Sequence, residues 1–250
     1  MKAIFGVILA GVLAVVSSIQ AGYSLTIPSD KDTSIDDRIF PGDDRRNTNY
    51  GEFTSLYIQN YEMTVVYVLR TLISFDLSGF TAPVEKAVMK LTTAFVRQPE
   101  PTSLGVYAMT RSWVEGTAST VDADDNGASW MTYDGVNPWD TPGGDFDPNS
   151  YAWATVPAGG GPLYLLIEWD VTDLVNEWIT GARANYGLAL IQYETIPVEP
   201  ATWNYITFFS DESGGGMYPV LDIVIPESVT ITSLLAAIFG LFCKKRILKK

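Results

Sequence analysis

The segment SWMTYDGVNPWDTPGGDFD, residues 129–147, sets Trp130, Tyr133, Trp139 and Phe146 among Asp134, Asp140, Asp145 and Asp147 around a Pro-Gly-Gly turn. Rings of this kind can stack on the apolar C–H faces of pyranoses, and carboxylates and amides suit the hydroxyl edges. We expect Tyr133 and Trp139 to be exposed and, with Asp134, to form a shallow sugar platform. The alternative is a structural corner in which the same rings pack inward. Calcium is a second possible chemistry. Asp145 and Asp147 sit beside glycines whose carbonyls could join them around an ion. A competing cluster is Asp122, Asp124, Asp125 and Asn126, which has the oxygen density of a calcium loop but lacks the bidentate Glu of an EF-hand.

Other chemistries are narrowed by what the chain lacks. It contains no histidine, so Ser-His-Asp and Cys-His nucleophile systems and His-ligated zinc are excluded. Its one cysteine, Cys243, lies near the C-terminus, so no intrachain disulfide can form. Carboxylate pairs such as Glu115 with Asp134 keep a glycosidase or lyase conceivable, since such enzymes need two carboxyls about 5 to 10 Å apart in a cleft. A single domain of this size has little room for a deep one. The formal net charge is −13, and almost all of the 29 acids fall between residues 22 and 226. Nucleic acid is therefore not an expected partner.

The ends of the chain address its destination. Residues 1–21, MKAIFGVILAGVLAVVSSIQA, place one lysine before an apolar run that closes on small residues, the pattern of a secretory signal. At the other end, 227–250 hold an apolar run with Leu234, Leu235, Ile238, Phe239, Leu241 and Phe242, then Lys244, Lys245 and Arg246. We expect hydrophobic helices at both termini, the second acting as a membrane anchor with its basic residues on the cytoplasmic side. Pro226 and Glu227, the short apolar helix and the basic terminus resemble the PEP-CTERM sorting tail of bacterial exported proteins, which implies a sorting peptidase as a partner. Ser228 stands where that motif has its second proline.

The intervening residues, 22–226, suit one all-β domain. Nine segments rich in β-branched and aromatic residues recur between turn residues: TSIDDRIF, TSLYIQN, TVVYVLRTLISFDL, KAVMKLTTAFV, LGVYAM, LYLLIEWDV, YGLALIQYE, WNYITFFS and YPVLDIVI. This predicts a two-sheet sandwich. In KAVMKLTTAFV the alternation puts Ala87, Met89, Leu91, Thr93 and Phe95 on the core face. Phe75 and Leu77 are assigned to the core, and Arg70 to an aspartate such as Asp76 or to a ligand carboxylate. VTDLVNEWITG has helical spacing, with Thr172 or Asp173 as the cap, Gly181 as the stop and Trp178 facing inward. Residues 116–161 show little strand pattern and are read as a long rim insertion.

Taken in order, DTSI, NTNYG, SLYI, RTLISFDLS, VEKAVMKL, VYAMTRSWVEG, WDVTDLVNEWITG, NYGLAL and ITFFSDES...YPVLDIV resemble a DNRLRE (disaggregatase-related) domain from about residue 30 to 225. That resemblance implies a β-jelly-roll and a non-catalytic, carbohydrate-binding role, with a polysaccharide as partner at the cell surface or in the extracellular matrix. A structural or adhesive matrix protein that makes no specific sugar contact is the alternative.

Overall fold

A computed structural model describes residues 23–62, 66–119, 126–192 and 205–226. The expected signal, the anchor and sorting tail, and Asp122, Asp124 and Asp125 lie outside them. The chain divides into two units. One joins residues 1–25 to 224–250 and is described only at 23–25 and 224–226; the other, 26–223, carries the fold.

The described strands are Tyr23–Pro28 (β1), Lys31–Asp36 (β2), Ile39–Phe40 (β3), Asp43–Asp44 (β4), Ser55–Glu62 (β5), Val66–Ser74 (β6), Lys86–Gln98 (β7), Thr102–Met109 (β8), Phe146–Val156 (β9), Gly159–Gly161 (β10), Leu166–Asp170 (β11), Leu188–Gln192 (β12), Tyr205–Phe209 (β13) and Val220–Ile225 (β14). One α-helix, Thr172–Thr180 (α1), follows β11. Among the described residues the all-β expectation with one short α-helix holds. Strands run in the order β14–β7–β13–β5–β6–β12–β8–β9, with β10 and β11 also on β7 and β2 on β6.

This path curls on itself, so that strands distant along it face each other. Trp169 of β11 is fully buried and its indole N–H donates to the Leu104 carbonyl of β8 at 3.0 Å. Between the layers lie Ile73, Leu188, Leu190 and Val106 from one side and Ile58, Val96, Ile206, Phe208 and Trp169 from the other. Burying side chains of this size is the dominant stabilising term, of about 1.5 to 3 kcal/mol each. Phe75, Leu77 and Trp178 are buried, as expected.

Three local expectations change. The helix begins after Val171 with no side-chain cap. Instead Asp170 Oδ1 accepts hydrogen bonds from the backbone N–H and hydroxyl of Thr172, while Gly181 closes the helix at φ 74° as expected. Strand β9 occupies residues expected to be loop, so the irregular segment ends at Asp145. Strand β7 keeps Ala87, Met89, Leu91 and Thr93 inward, but its register against β13 shifts between Thr207 and Phe208, and beyond that point Val96 faces the core while Phe95 turns out. A β-bulge inverts the alternation of everything after it.

Every residue of β12 is buried, because both faces of the β6–β12–β8 layer are covered. Its second face carries Ile35, Leu72, Ala189, Ile191 and Met109, and on these pack Trp113, Ala128 and Trp139 from the segment between β8 and β9. That segment forms a small second core on the outside of the sandwich.

Candidate functional site

The aromatic segment is fixed by its own backbone and by the sheet beneath it. Gly143 N–H donates to the Trp130 carbonyl at 2.7 Å, Met131 N–H to Arg46 at 3.1 Å, and Thr132 bridges Pro138. Trp139 is 4% exposed and its indole N–H donates to the Ser129 carbonyl at 2.9 Å. The expectation of an exposed Trp139 ring is corrected: large apolar area and an available carbonyl partner draw it into the second core. Tyr133 is half-buried, edge-on to Trp139 at 5.8 Å and capped by the Arg111 guanidinium at 4.9 Å. Asp134 accepts the backbone N–H groups of Val136 and Asn137 and the Asn137 amide, which stabilise its charged form and hold its pKa below the ordinary value. Its carboxylate is occupied in forming a turn.

The two aspartates expected to cradle calcium are likewise occupied, each by a different arginine. Asp145 accepts from Arg111 Nε at 2.7 Å and from the backbone N–H groups of Asp140 and Thr141. Burial pushes its pKa up, but those donors outweigh it and the net shift is downward. Asp147 accepts from Asn149 and from Arg183 Nη2 at 2.8 Å, and its pKa is also lowered, first by the Asn149 N–H. Among the described residues these two do not join any group of three close carboxylates. Arg70 holds the Pro-Gly-Gly turn. It donates to the Gly143 carbonyl at 2.7 Å, with its guanidinium 4.8 Å from the Trp130 ring and 5.1 Å from that of Phe146.

A different surface presents aromatic rings. On the outer face of β5, β13 and β7, cross-strand register sets Gln59, Tyr205 and Arg97 in one row and Tyr57, Thr207 and Phe95 in the next. The alternate residues Leu56, Ile58, Ile206 and Val96 are core, so this face points away from it. Phe95 and Tyr205 stack, and at the far end of β13 Phe209 stacks under Tyr164, which is 67% exposed. Together with Arg38, these two rows line a depression of about 500 Å³. Arg38 is held by a forked pair to Asp36, whereas Arg97 is exposed and makes no ion pair among the described residues. Stacked rings, an amide, a hydroxyl and a guanidinium around one shallow cleft can engage both the apolar faces and the hydroxyl edges of a sugar chain.

A third feature is buried acid. Asp32 of β2, Glu115 after β8 and Asp211 after β13 each bring a carboxylate oxygen within 4.8 Å of the others. Asp32 is 1% exposed. Its Oδ2 accepts from the Ser29 hydroxyl and the Asp211 N–H, while Glu115 Oε1 accepts the Asp32 N–H at 2.6 Å. Burial pushes the Asp32 pKa up to about 8, aided by the charges of Asp211 and Glu212. Burial likewise lifts Glu115 to about 7 and neighbouring Glu212 to about 8. Glu115 is aimed by the NTNYG turn: Asn49 Nδ2 donates to the Glu115 carbonyl at 2.5 Å and to Ala128 at 2.9 Å. Glu115 thus belongs with Asp32 and Asp211, while the Asp134 carboxylate closes an exposed turn elsewhere. Sequence reasoning missed this cluster because its members lie in separate motifs. The available signal was the polar alternation Asp32, Ser34, Asp36 along β2, whose side chains are all buried.

Residues 26–135 match carbohydrate-binding module family 96. The matched stretch runs from within β1 through β8 into the segment that follows it. It contains Tyr57, Gln59, Phe95 and Arg97 of the aromatic cleft and Asp32 and Glu115 of the acid cluster, while Tyr205 and Asp211 lie beyond it. No curated protein matches the chain. Among the described residues no helix is long and apolar enough to cross a membrane.

Proposed function

We propose that this protein is an exported, non-catalytic polysaccharide-binding domain of the DNRLRE type, held at the cell surface or in the matrix by its C-terminal tail. The observation that carries the reading is the open face of β5, β13 and β7, where Phe95, Tyr205 and Tyr57 surround a cleft edged by Gln59, Arg97 and Thr207. Its rings are braced by one another before any ligand arrives, so little ordering entropy opposes binding. The family match over 26–135 supports a sugar as the ligand class. Residues 1–21 supply the export signal, and 227–250 supply the tether and the substrate for a sorting peptidase. The Tyr133 edge of the rim segment is the secondary candidate surface, since that ring is half-buried and its neighbours are engaged.

A glycan array probed with the full chain tests this reading. Binding to one class of polysaccharide, lost in Tyr205→Ala and kept in Tyr133→Ala, is the expected pattern. Binding lost only in Tyr133→Ala would move the site to the rim.

The buried state of Trp113, Trp139, Trp169 and Trp178 favours the second reading, a structural or adhesive matrix protein whose indoles serve packing alone. An array without any bound glycan would support it. For localisation, deleting 227–250 should shift the protein from membrane to soluble fractions.

A further inference from the structure

The acid cluster joins three stretches far apart in sequence. Asp32 comes from the edge strand β2, Glu115 from the start of the segment that covers the second core, and Asp211 with Glu212 from the turn between β13 and β14. Asp32 Oδ1, Asp211 Oδ1 and Glu212 Oε2 are buried without a hydrogen-bond partner. A buried, unpartnered carboxylate oxygen is costly, and several together repel one another unless protons or a cation intervene. The nearby Lys31 does not meet this need, because its Nζ donates to the Trp113 carbonyl and lies 4.5 Å from that indole ring.

We propose that Asp32, Glu115 and Asp211, flanked by Glu212, bind a divalent cation of the calcium class. The donor set is entirely oxygen, which suits a hard cation and gives nothing to a soft one. Calcium–oxygen bonds of about 2.3 to 2.6 Å place two ligand atoms of one ion no more than about 5 Å apart. The three oxygens lie within 4.8 Å of one another, inside that span. Calcium also tolerates irregular geometry, as an assembly of three separate segments requires, better than magnesium does. Its role would be a clasp. It ties the edge strand to the β13–β14 turn and, through Glu115, anchors the start of the segment that packs on the outside of the sheet. This site is separate from the aromatic cleft and does not depend on the sugar-binding reading.

The test uses the full chain, stripped with chelator and titrated with calcium chloride by calorimetry and thermal melting. The expected result is one ion per chain and a melting temperature raised by several degrees. Asp32→Asn and Asp211→Asn should each weaken calcium binding at least tenfold, and Asp145→Asn should leave it unchanged. If one of the first two variants does not fold, Glu115→Gln takes its place, because it keeps the shape and removes one charged ligand. No heat and no thermal shift at about 10 mM calcium, beyond the weak range of extracellular calcium modules, would overturn the proposal. So would wild-type affinity in Asp32→Asn and Asp211→Asn, or loss of binding in Asp145→Asn.

Discussion

Phe95 and Tyr205 lie face to face on neighbouring antiparallel strands, with ring centroids 5.4 Å apart and planes 7° from parallel. The pair exists because the register shift in the β7–β13 ladder turns Phe95 out of the core and onto the face where Tyr205 already points. A single irregularity thereby converts a core residue into part of a surface wall. The same face gathers Tyr57 and Gln59 from β5 and leaves Arg97 exposed beside them.

Trp139→Ala should unfold or strongly destabilise the domain rather than act on ligand alone. The ring is buried with its N–H paired, and removing a core tryptophan costs about 3 to 5 kcal/mol. Chemical denaturation of the variant measures this. A loss below about 1 kcal/mol would mean that the second core does not carry weight.

Arg70→Lys tests the latch beneath that core. The guanidinium faces Trp130 and Phe146 and donates to Gly143, and a lysine keeps the charge but loses the planar fork. We expect a loss of about 1 to 2 kcal/mol in the same assay, from the cation–π contacts and the hydrogen bond. Unchanged stability would show that the latch contributes nothing.

Gly51→Ala should be more disruptive than most surface glycine changes. A Cβ there would meet the Glu115 carbonyl oxygen at 2.5 Å, at the point where the NTNYG turn holds the Glu115 backbone. The expected cost is about 1 to 3 kcal/mol, together with faster proteolysis of the segment after β8. A variant as stable and protease-resistant as the parent would contradict the close approach.

The acid limb of the pH dependence follows from Asp145 and Asp147, whose folded pKa values lie below the ordinary carboxylate value. The unfolded chain takes up protons first as pH falls. Their stabilisation is therefore complete above about pH 4, near the unfolded pKa, and is lost as pH drops through the folded values. Urea midpoints measured from pH 7 down to pH 2 should decline below about pH 4, and less steeply in Arg183→Met, which removes the Asp147 partner. Identical acid limbs in parent and variant would argue against that pairing.

Much of the fold was readable from local pattern. The alternating apolar segments lie where β2, β5, β6, β7, β8, β11, β12, β13 and β14 form, and the helical spacing of Leu174, Val175 and Trp178 marked α1. The site was less legible because it depends on what periodicity cannot encode. A bulge reversed Phe95, and a nearby carbonyl captured Trp139. Arginines distant in sequence took Asp145 and Asp147. Asp32, Glu115 and Asp211 were visible as residues, but their convergence is a product of topology.

The most direct test is the affinity of Tyr205→Ala for the polysaccharide that the parent retains, measured by affinity electrophoresis or calorimetry beside a thermal melt. We expect binding to fall at least tenfold, about 1.4 kcal/mol, with a melt that still shows a folded domain, and Phe95→Ala to behave alike. Parent-level affinity in both folded variants would contradict the assignment of the β5–β13–β7 face as the sugar-binding surface.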